Sequence, residues 1–251
     1  MDELLQPTSQ PLLVLRLCLP RLTPKDMGML RCTCSVLRDM RVSWQGHSID
    51  FQLDGSISAT SWLHKNIVSM RCLSLGVSLN TPERTVQDII GGVWNLTYLR
   101  IKSEHIELLP ALPPKLQQLH LECIELRSLP PLPPTLRTLR CLRCNALGLP
   151  SSLSDTALSV LDCSGCDMLE SLPQLPPSLV ELDMRGCGGI QQLPALPTGL
   201  KCLNISSCGD LSELTELPAS LSHLDCYNCT SLERLPQLAH TGLTELHCCR
   251  C

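Results

Sequence analysis

The chain has 251 residues, enough for one repeat array together with a small additional module. Hydrophobic residues make up 43% of the sequence but aromatic residues only 2%, so leucine and cysteine must fill most of the interior. The formal charge of −4 and the isoelectric point near 6.0 argue against a nucleic-acid-binding protein, which usually carries a clustered basic excess, and do not suggest a membrane partner.

The amino terminus gives no export or membrane signal. Asp2 and Glu3 stand where a secretory signal has a basic region, and the apolar run at 12–22 is shorter than a membrane span. Seventeen cysteines would favour a disulfide scaffold in a short exported chain. Without an export signal we expect reduced thiols and a location in the cytosol or nucleus.

Residues 1–45 do not share the period of the rest of the chain, and they predict short helices. Thr23 can cap a helix that has Pro24 in its first turn, and apolar residues then recur on one helix face. This segment resembles an F-box, whose core runs Leu-x-Pro-x-Asp-Leu-x-x-Leu. The resemblance implies that a Skp1-like adaptor binds the apolar face, with contacts from Leu22, Pro24, Met27, Leu30 and Leu37. Alternatively, the module only caps the repeat array.

Residues 46–95 hold atypical first repeats. Trp44 and the segment Ile49-Asp50-Phe51 extend the F-box resemblance, because F-box proteins with repeats often continue through a Trp into a first strand. The segment at 70–75 predicts a second strand. Thr81 is a good N-cap and Pro82 follows in the first turn, so we predict a helix near 82–90 that ends near Gly91-Gly92.

Leucines recur every 20–22 residues over 96–251, as in Leu158, Leu179 and Leu200. The units resemble the leucine-rich-repeat family, in the short class with Leu-Pro-x-Leu-Pro segments. Alternation buries the strand leucines on one face, and the prolines prevent a helical return. We therefore predict a leucine-rich-repeat solenoid with a parallel sheet on its concave face, a mostly extended or polyproline convex side, a truncated last repeat and a small α-helical N-terminal module.

Four Cys-x-x-Cys pairs would by themselves be a zinc signal. They are Cys141/Cys144, Cys163/Cys166, Cys226/Cys229 and Cys248/Cys251. The first cysteine of each pair shares its repeat position with Ile101 and Leu121. The second shares its position with Glu104 and Ile124, where the family turns a small side chain inward. Residues three apart in an extended segment lie about 10 Å apart, too far for two thiolates on one zinc. We expect core cysteines, with no metal site and no cofactor.

The outward strand residues should form the concave surface, where solenoids usually bind their partners. Arg137 and Arg143 lie beside its early, basic part and Glu181 beside its later, acidic part. We hypothesise a protein partner with complementary charges at two ends; a solvated sheet face is the alternative. The predicted partner-binding residues are Arg100, Lys102, His120, Arg140, Asp162, Asp183, Asn204, Asp225, Tyr227 and His247.

These features favour a non-catalytic protein–protein interaction module. No phosphate-binding loop, HExxH motif or nucleophile elbow occurs, so we expect no catalytic residue. The F-box resemblance implies a substrate-recognition subunit of a ubiquitin ligase, in which the repeats present the substrate. The alternatives are a free-standing leucine-rich-repeat scaffold and an effector-type protein whose N-terminal helices only cap the solenoid. Neither nucleic acid nor a membrane is an expected partner.

Overall fold

The computed structural model describes residues 48–53 and 70–250, which form one sheet of parallel strands. Each strand pairs with the next strand along the chain, so the order in the sheet is the order in the sequence. The strands are β1 (Ser48–Leu53), β2 (Cys72–Val77), β3 (Tyr98–Ser103), β4 (Gln118–Cys123), β5 (Thr138–Cys141), β6 (Val160–Asp162), β7 (Glu181–Asp183), β8 (Cys202–Asn204), β9 (His223–Asp225) and β10 (Glu245–His247). The module predicted at residues 1–45 lies outside the described residues.

The leucine period builds this sheet. The second residue of each strand from β3 to β9 is a leucine that pairs in register with that of the neighbouring strand, and none of these leucines is more than 2% exposed. Burying these side chains stabilises each strand by roughly 1.5–3 kcal/mol per leucine before the entropy of ordering is subtracted. The leucines are Leu99, Leu119, Leu139, Leu161, Leu182, Leu203 and Leu224. The prediction of a parallel-strand repeat solenoid is confirmed.

The prolines shape the entry to most strands. In five units a proline carbonyl accepts the backbone N–H of the leucine three residues later, as between Pro176 and Leu179 at 3.1 Å. This bond closes a turn, and proline suits such a turn because its φ is already fixed. Hydroxyl groups in three of these turns reach back one repeat. Thr135 donates to the carbonyl of Leu116 at 2.8 Å, Ser178 to that of Leu158 at 2.7 Å, and Ser220 to that of Leu200 at 2.6 Å.

Helix is scarce in the described residues, as the prolines predict. An α-helix, α1 (Glu83–Gly91), lies between β2 and β3, where a helix near 82–90 was predicted. The expected cap is wrong, because the Thr81 hydroxyl does not cap α1 but donates to the carbonyl of Leu53 in β1 at 2.9 Å. A short 3-10 helix at Ser151–Asp155, which was not predicted, begins after Pro150 and joins β5 to β6.

Candidate functional site

The predicted binding residues share one column of the sheet. Successive members pair directly, as Arg100 with His120 and Asp162 with Asp183. We call this column, together with the other outward-facing residues of the same strands, the outer strand face. The column consists of Arg100, His120, Arg140, Asp162, Asp183, Asn204, Asp225 and His247.

Two predicted residues lie beside this column. Lys102 lies two residues beyond it on β3, with a side chain that is 68% exposed. Tyr227 does not lie on a strand: it is in the turn after β9, where the Arg250 guanidinium lies 5.8 Å from its ring centroid. Lys102 therefore belongs to the outer strand face, whereas Tyr227 marks its rim.

Four column residues have a structural role that sequence reasoning missed. The Oδ1 atoms of Asp162, Asp183, Asn204 and Asp225 each accept the backbone N–H of the residue two positions later, at 3.0 Å. The Asp162 and Asn204 atoms also accept a serine hydroxyl. Such Asx turns suit a chain that must leave the strand abruptly. The signal available in the sequence was an aspartate followed three residues later by a glycine, as at Gly165 and Gly186. Both glycines have a positive φ.

The part of the face over β3–β5 carries basic side chains whose charge is partly neutralised by nearby carboxylates. The Arg100 guanidinium and the Lys102 ammonium both contact Glu122, and Arg140 lies 3.9 Å from Asp162. Burial raises the pKa of Glu122, but the hydrogen bonds and charges of Arg100 and Lys102 together lower it more, so it stays below the ordinary value. Three cationic side chains therefore face one carboxylate within β3–β5.

His120 sits between the two arginines of the column. Its Nδ1 lies 3.4 Å from the Tyr98 hydroxyl, and the two rings meet edge to face with centroids 5.1 Å apart. Burial lowers the pKa of His120, and the charges of Arg140 and Arg100 lower it further. At neutral pH His120 therefore adds an aromatic ring to the face rather than a charge.

The part over β7–β10 is acidic and forms a shallow groove of about 230 Å³. Glu181, Asp183, Asp225 and Glu245 line it, and these four strands contain no Lys or Arg. His223 lies 3.5 Å from Glu245, and His247 lies 3.8 Å from Asp225. Sequence reasoning missed Glu122 and Glu245, although each lies two residues from a column position and so shares its face.

Burial raises the pKa of Asp183. The backbone N–H and the charge of Arg185 lower this pKa and the carboxylates of Asp162 and Asp225 raise it, but the net shift is upward. An ionised carboxylate at this position is therefore less favourable than it would be in water. Its neighbours in the column, Asp162 and Asn204, pair with it directly in the sheet.

The Cys-x-x-Cys segment at Cys163/Cys166 is a turn, so the expected separation of about 10 Å is wrong there. The backbone N–H of Cys166 donates to the carbonyl of Cys163 at 3.2 Å, which brings the two Cα atoms within about 7 Å. The thiols at the second cysteine position instead bond the preceding repeat. Cys166 donates to the carbonyl of Cys141 at 2.9 Å, and Cys187 donates to that of Cys163 at 3.0 Å.

Burial also keeps these thiols protonated. It raises the pKa of Cys187 to about 11 and that of Cys208 to about 12. Zinc binds the thiolate form, so these positions favour a core role. Within residues 48–53 and 70–250 no cluster of three or more His, Cys, Asp or Glu side chains is arranged to hold a metal ion.

The predicted equivalence of Glu104 and Ile124 with the second cysteine is wrong. Ile124 is 43% exposed and Glu104 is exposed, whereas Ser103 and Cys123 are buried. β3 and β4 have six residues where β6–β10 have three, so alternation continues further and turns the earlier residue inward. The Cys123 thiol donates to the carbonyl of Ile101, as the later cysteines do to their preceding repeats.

No family model and no curated protein match this sequence. None of the helices in the described part of the chain has the length and hydropathy of a membrane span.

Proposed function

We propose that this chain is a leucine-rich-repeat protein of the short Leu-Pro-x-Leu-Pro class that binds a protein partner and catalyses no reaction. The class is supported by the leucine period, the inward cysteine after each later strand and the proline turns that replace helices. In such solenoids every repeat contacts only its neighbours, and the strands present an extended surface.

The observation that carries the proposal is the contrast between the two sides of the strands. The inward side is closed by leucine and cysteine, whereas the outward side keeps charged residues exposed and in register. The side chains of Arg100 and Arg140 are both 44% exposed. A continuous charged surface of this kind suits recognition of a protein segment.

A comparison of co-purifying proteins tests this proposal. The variant E181Q/D183N/D225N removes three charges from the outer strand face, and the variant D210N/E213Q/E216Q removes three charges from the connection between β8 and β9, where all three carboxylates are exposed. We expect specific partners to be lost from the first variant and retained by the second. Equal retention by both variants contradicts binding at the outer strand face.

We further propose that the N-terminal segment binds a Skp1-like adaptor, so that the repeats recruit a substrate for ubiquitination. The support is the sequence resemblance of Leu22, Pro24, Met27, Leu30 and Leu37 to the F-box core. In the full chain, Leu30→Asp should abolish a pull-down of a purified Skp1-like adaptor, while the outer-face variant should leave it unchanged. If the adaptor does not bind the wild-type chain, the proposal reduces to a scaffold or effector-type protein whose N-terminal helices cap the repeats.

A further inference from the structure

We propose that the outer strand face holds an extended segment of a partner protein that crosses the strands, with basic side chains over β7–β10 and acidic side chains over β3–β5. This inference rests on the proposed function, because it assigns the chemistry of the partner at that same face. It commits to a single kind of occupant, a protein segment whose charges are separated along its length.

The charge of the outer strand face changes sign along the sheet. Over β3–β5 the face carries Arg100, Lys102 and Arg140 against the single carboxylate of Glu122. Over β7–β10 it carries four carboxylates and no Lys or Arg. A segment with a uniform charge would be attracted at one end and repelled at the other, whereas a segment with two opposite ends is attracted along its whole length.

The acidic charge exceeds what the fold requires. The turn after each strand from β6 to β9 has an acceptor atom at the column position, and the amide of Asn204 supplies one as well as the carboxylates do. The carboxylate of Asp183 is less favourable than an amide would be, because burial raises its pKa and the charges of Asp162 on the next strand and Asp225 two strands away raise it further. Charge that opposes folding in this way is typical of a residue that serves binding.

The acidic part is a shallow groove. The groove over β7–β10 has a volume of about 230 Å³, smaller than the roughly 300–1,000 Å³ of a small-molecule pocket. Its partly exposed lining includes Cys202, Asn204 and His223 beside the four carboxylates. Lysine and arginine suit such a surface, since their long side chains can lie across it while the charged ends reach the carboxylates.

The distance across the strands sets the length of the partner segment. From Arg100 on β3 to Asp225 on β9 there are six strand-to-strand steps, or roughly 29 Å at about 4.8 Å per step. An extended peptide covers this distance with about nine residues. The partner segment should therefore hold its acidic and basic ends within one short stretch of sequence.

The test uses a random twelve-residue peptide library displayed on phage and selected against the full chain. We expect enriched peptides with an acidic cluster and a basic cluster separated by a few residues. Their affinity should fall by roughly 10- to 100-fold for the E181Q/D183N/D225N variant and should be unchanged for D210N/E213Q/E216Q. The binding should also weaken as salt is raised.

A double-mutant cycle then fixes the orientation. Neutralising the basic end of a selected peptide should weaken its affinity for the wild-type chain but change its affinity for E181Q/D183N/D225N little. Neutralising the acidic end should likewise weaken its affinity for the wild-type chain but change its affinity for R100Q/R140Q little. Thermal unfolding confirms that each variant is folded, and Asp→Asn keeps the turn acceptor.

The outcomes separate this inference from the proposed function. Two outcomes overturn the inference but still support binding at the outer strand face. In the first, the selected peptides lose affinity for E181Q/D183N/D225N but have no separated acidic and basic clusters. In the second, the double-mutant cycle couples the basic end of the peptide with Arg100 and Arg140 and its acidic end with the carboxylates. Peptides that bind all variants equally, or a library with no enriched peptide, contradict both.

Discussion

At the scale of single residues, the column over the later strands combines two roles in one side chain. One oxygen of Asp183 holds the turn by accepting the Arg185 backbone N–H, and the charge of the same carboxylate is not needed for that bond. The sequence showed the charges and their column but not this bond, because an Asx turn depends on the backbone leaving the strand two residues later. The two roles can be separated by exchanging Asp and Asn.

We predict that Asp183→Asn raises the Tm, by about 1 °C, because it removes a half-buried charge close to the carboxylates of Asp162 and Asp225 and keeps the turn acceptor. The matched reverse change, Asn204→Asp, should lower the Tm by a similar amount, since it adds a carboxylate between Asp183 and Asp225. Calorimetry of both variants measures this. A lower Tm for Asp183→Asn would contradict the assignment.

The same pair of variants has a defined pH dependence. The pKa of Asp183 is raised in the folded chain, so the stability linked to its protonation is present at acidic pH and is lost as the pH rises through the folded pKa. The Tm advantage of Asp183→Asn should therefore be larger at pH 7 than at pH 4. Measurements of Tm at both values check the sign.

His120 should titrate below its ordinary range. Burial and the flanking arginines lower its pKa below 6.5. NMR titration of the imidazole should show a midpoint under that value, and Arg140→Gln should move the midpoint upward. A depressed folded pKa also means that the stability linked to neutral His120 is present above the unfolded pKa and is lost as the pH falls through the folded one. A midpoint above 6.5 would mean that the arginines do not act on this ring.

At the scale of elements, the repeat period of the sequence predicted the stacked strands, but the length of each strand could not be predicted. The 20–22-residue spacing of leucines and the prolines between strands were enough to predict stacked parallel strands with non-helical returns. The extra length of β3 and β4 was not visible, so Ile124 was placed in the core instead of Cys123. The helix near 82–90 carried its own start signal, yet the Thr81 hydroxyl bonds β1, a partner far away in sequence.

Two adjacent glycines in the turn after β7 offer a matched comparison of packing. A Cβ on Gly189 would lie 2.8 Å from the Asp167 carbonyl oxygen of the preceding repeat, whereas a Cβ on Gly188 would meet nothing within 4 Å. Gly189→Ala should therefore lower the free energy of unfolding by about 1–3 kcal/mol, and Gly188→Ala should change it little. Urea unfolding of the two variants measures the difference. Equal stabilities would show that neighbouring repeats are not packed this closely.

The buried thiols should be protected from modification. Cys163, Cys187 and Cys208 are completely buried, whereas Cys248 and Cys249 are exposed. Brief treatment with N-ethylmaleimide followed by peptide mass spectrometry should label Cys248 and Cys249 and leave the other three unlabelled until urea is added. Fast labelling of Cys187 in the native chain would contradict its place in the core.

At the scale of the whole molecule, the inner and outer sides of the sheet were predictable to different degrees. The core follows from a repeated apolar pattern, so each unit supports the identification of the next. The outer strand face carries a different residue on each strand. Its charge distribution is visible only once the register of the sheet places these residues side by side. The alternation of the strands placed most predicted binding residues together, whereas Tyr227 fell in a turn because its strand ends two residues earlier.

The central claim is that a protein partner contacts the outer strand face, and carboxyl footprinting tests it most directly. A selected peptide or co-purified partner is bound to the full chain, and exposed carboxylates are labelled with a carbodiimide and an amine before peptide mass spectrometry. We expect protection of Glu181 and Asp225 on the outer strand face, with unchanged labelling of Asp210, Glu213 and Glu216 in the connection between β8 and β9. Protection of that connection with full labelling of the face would contradict the account.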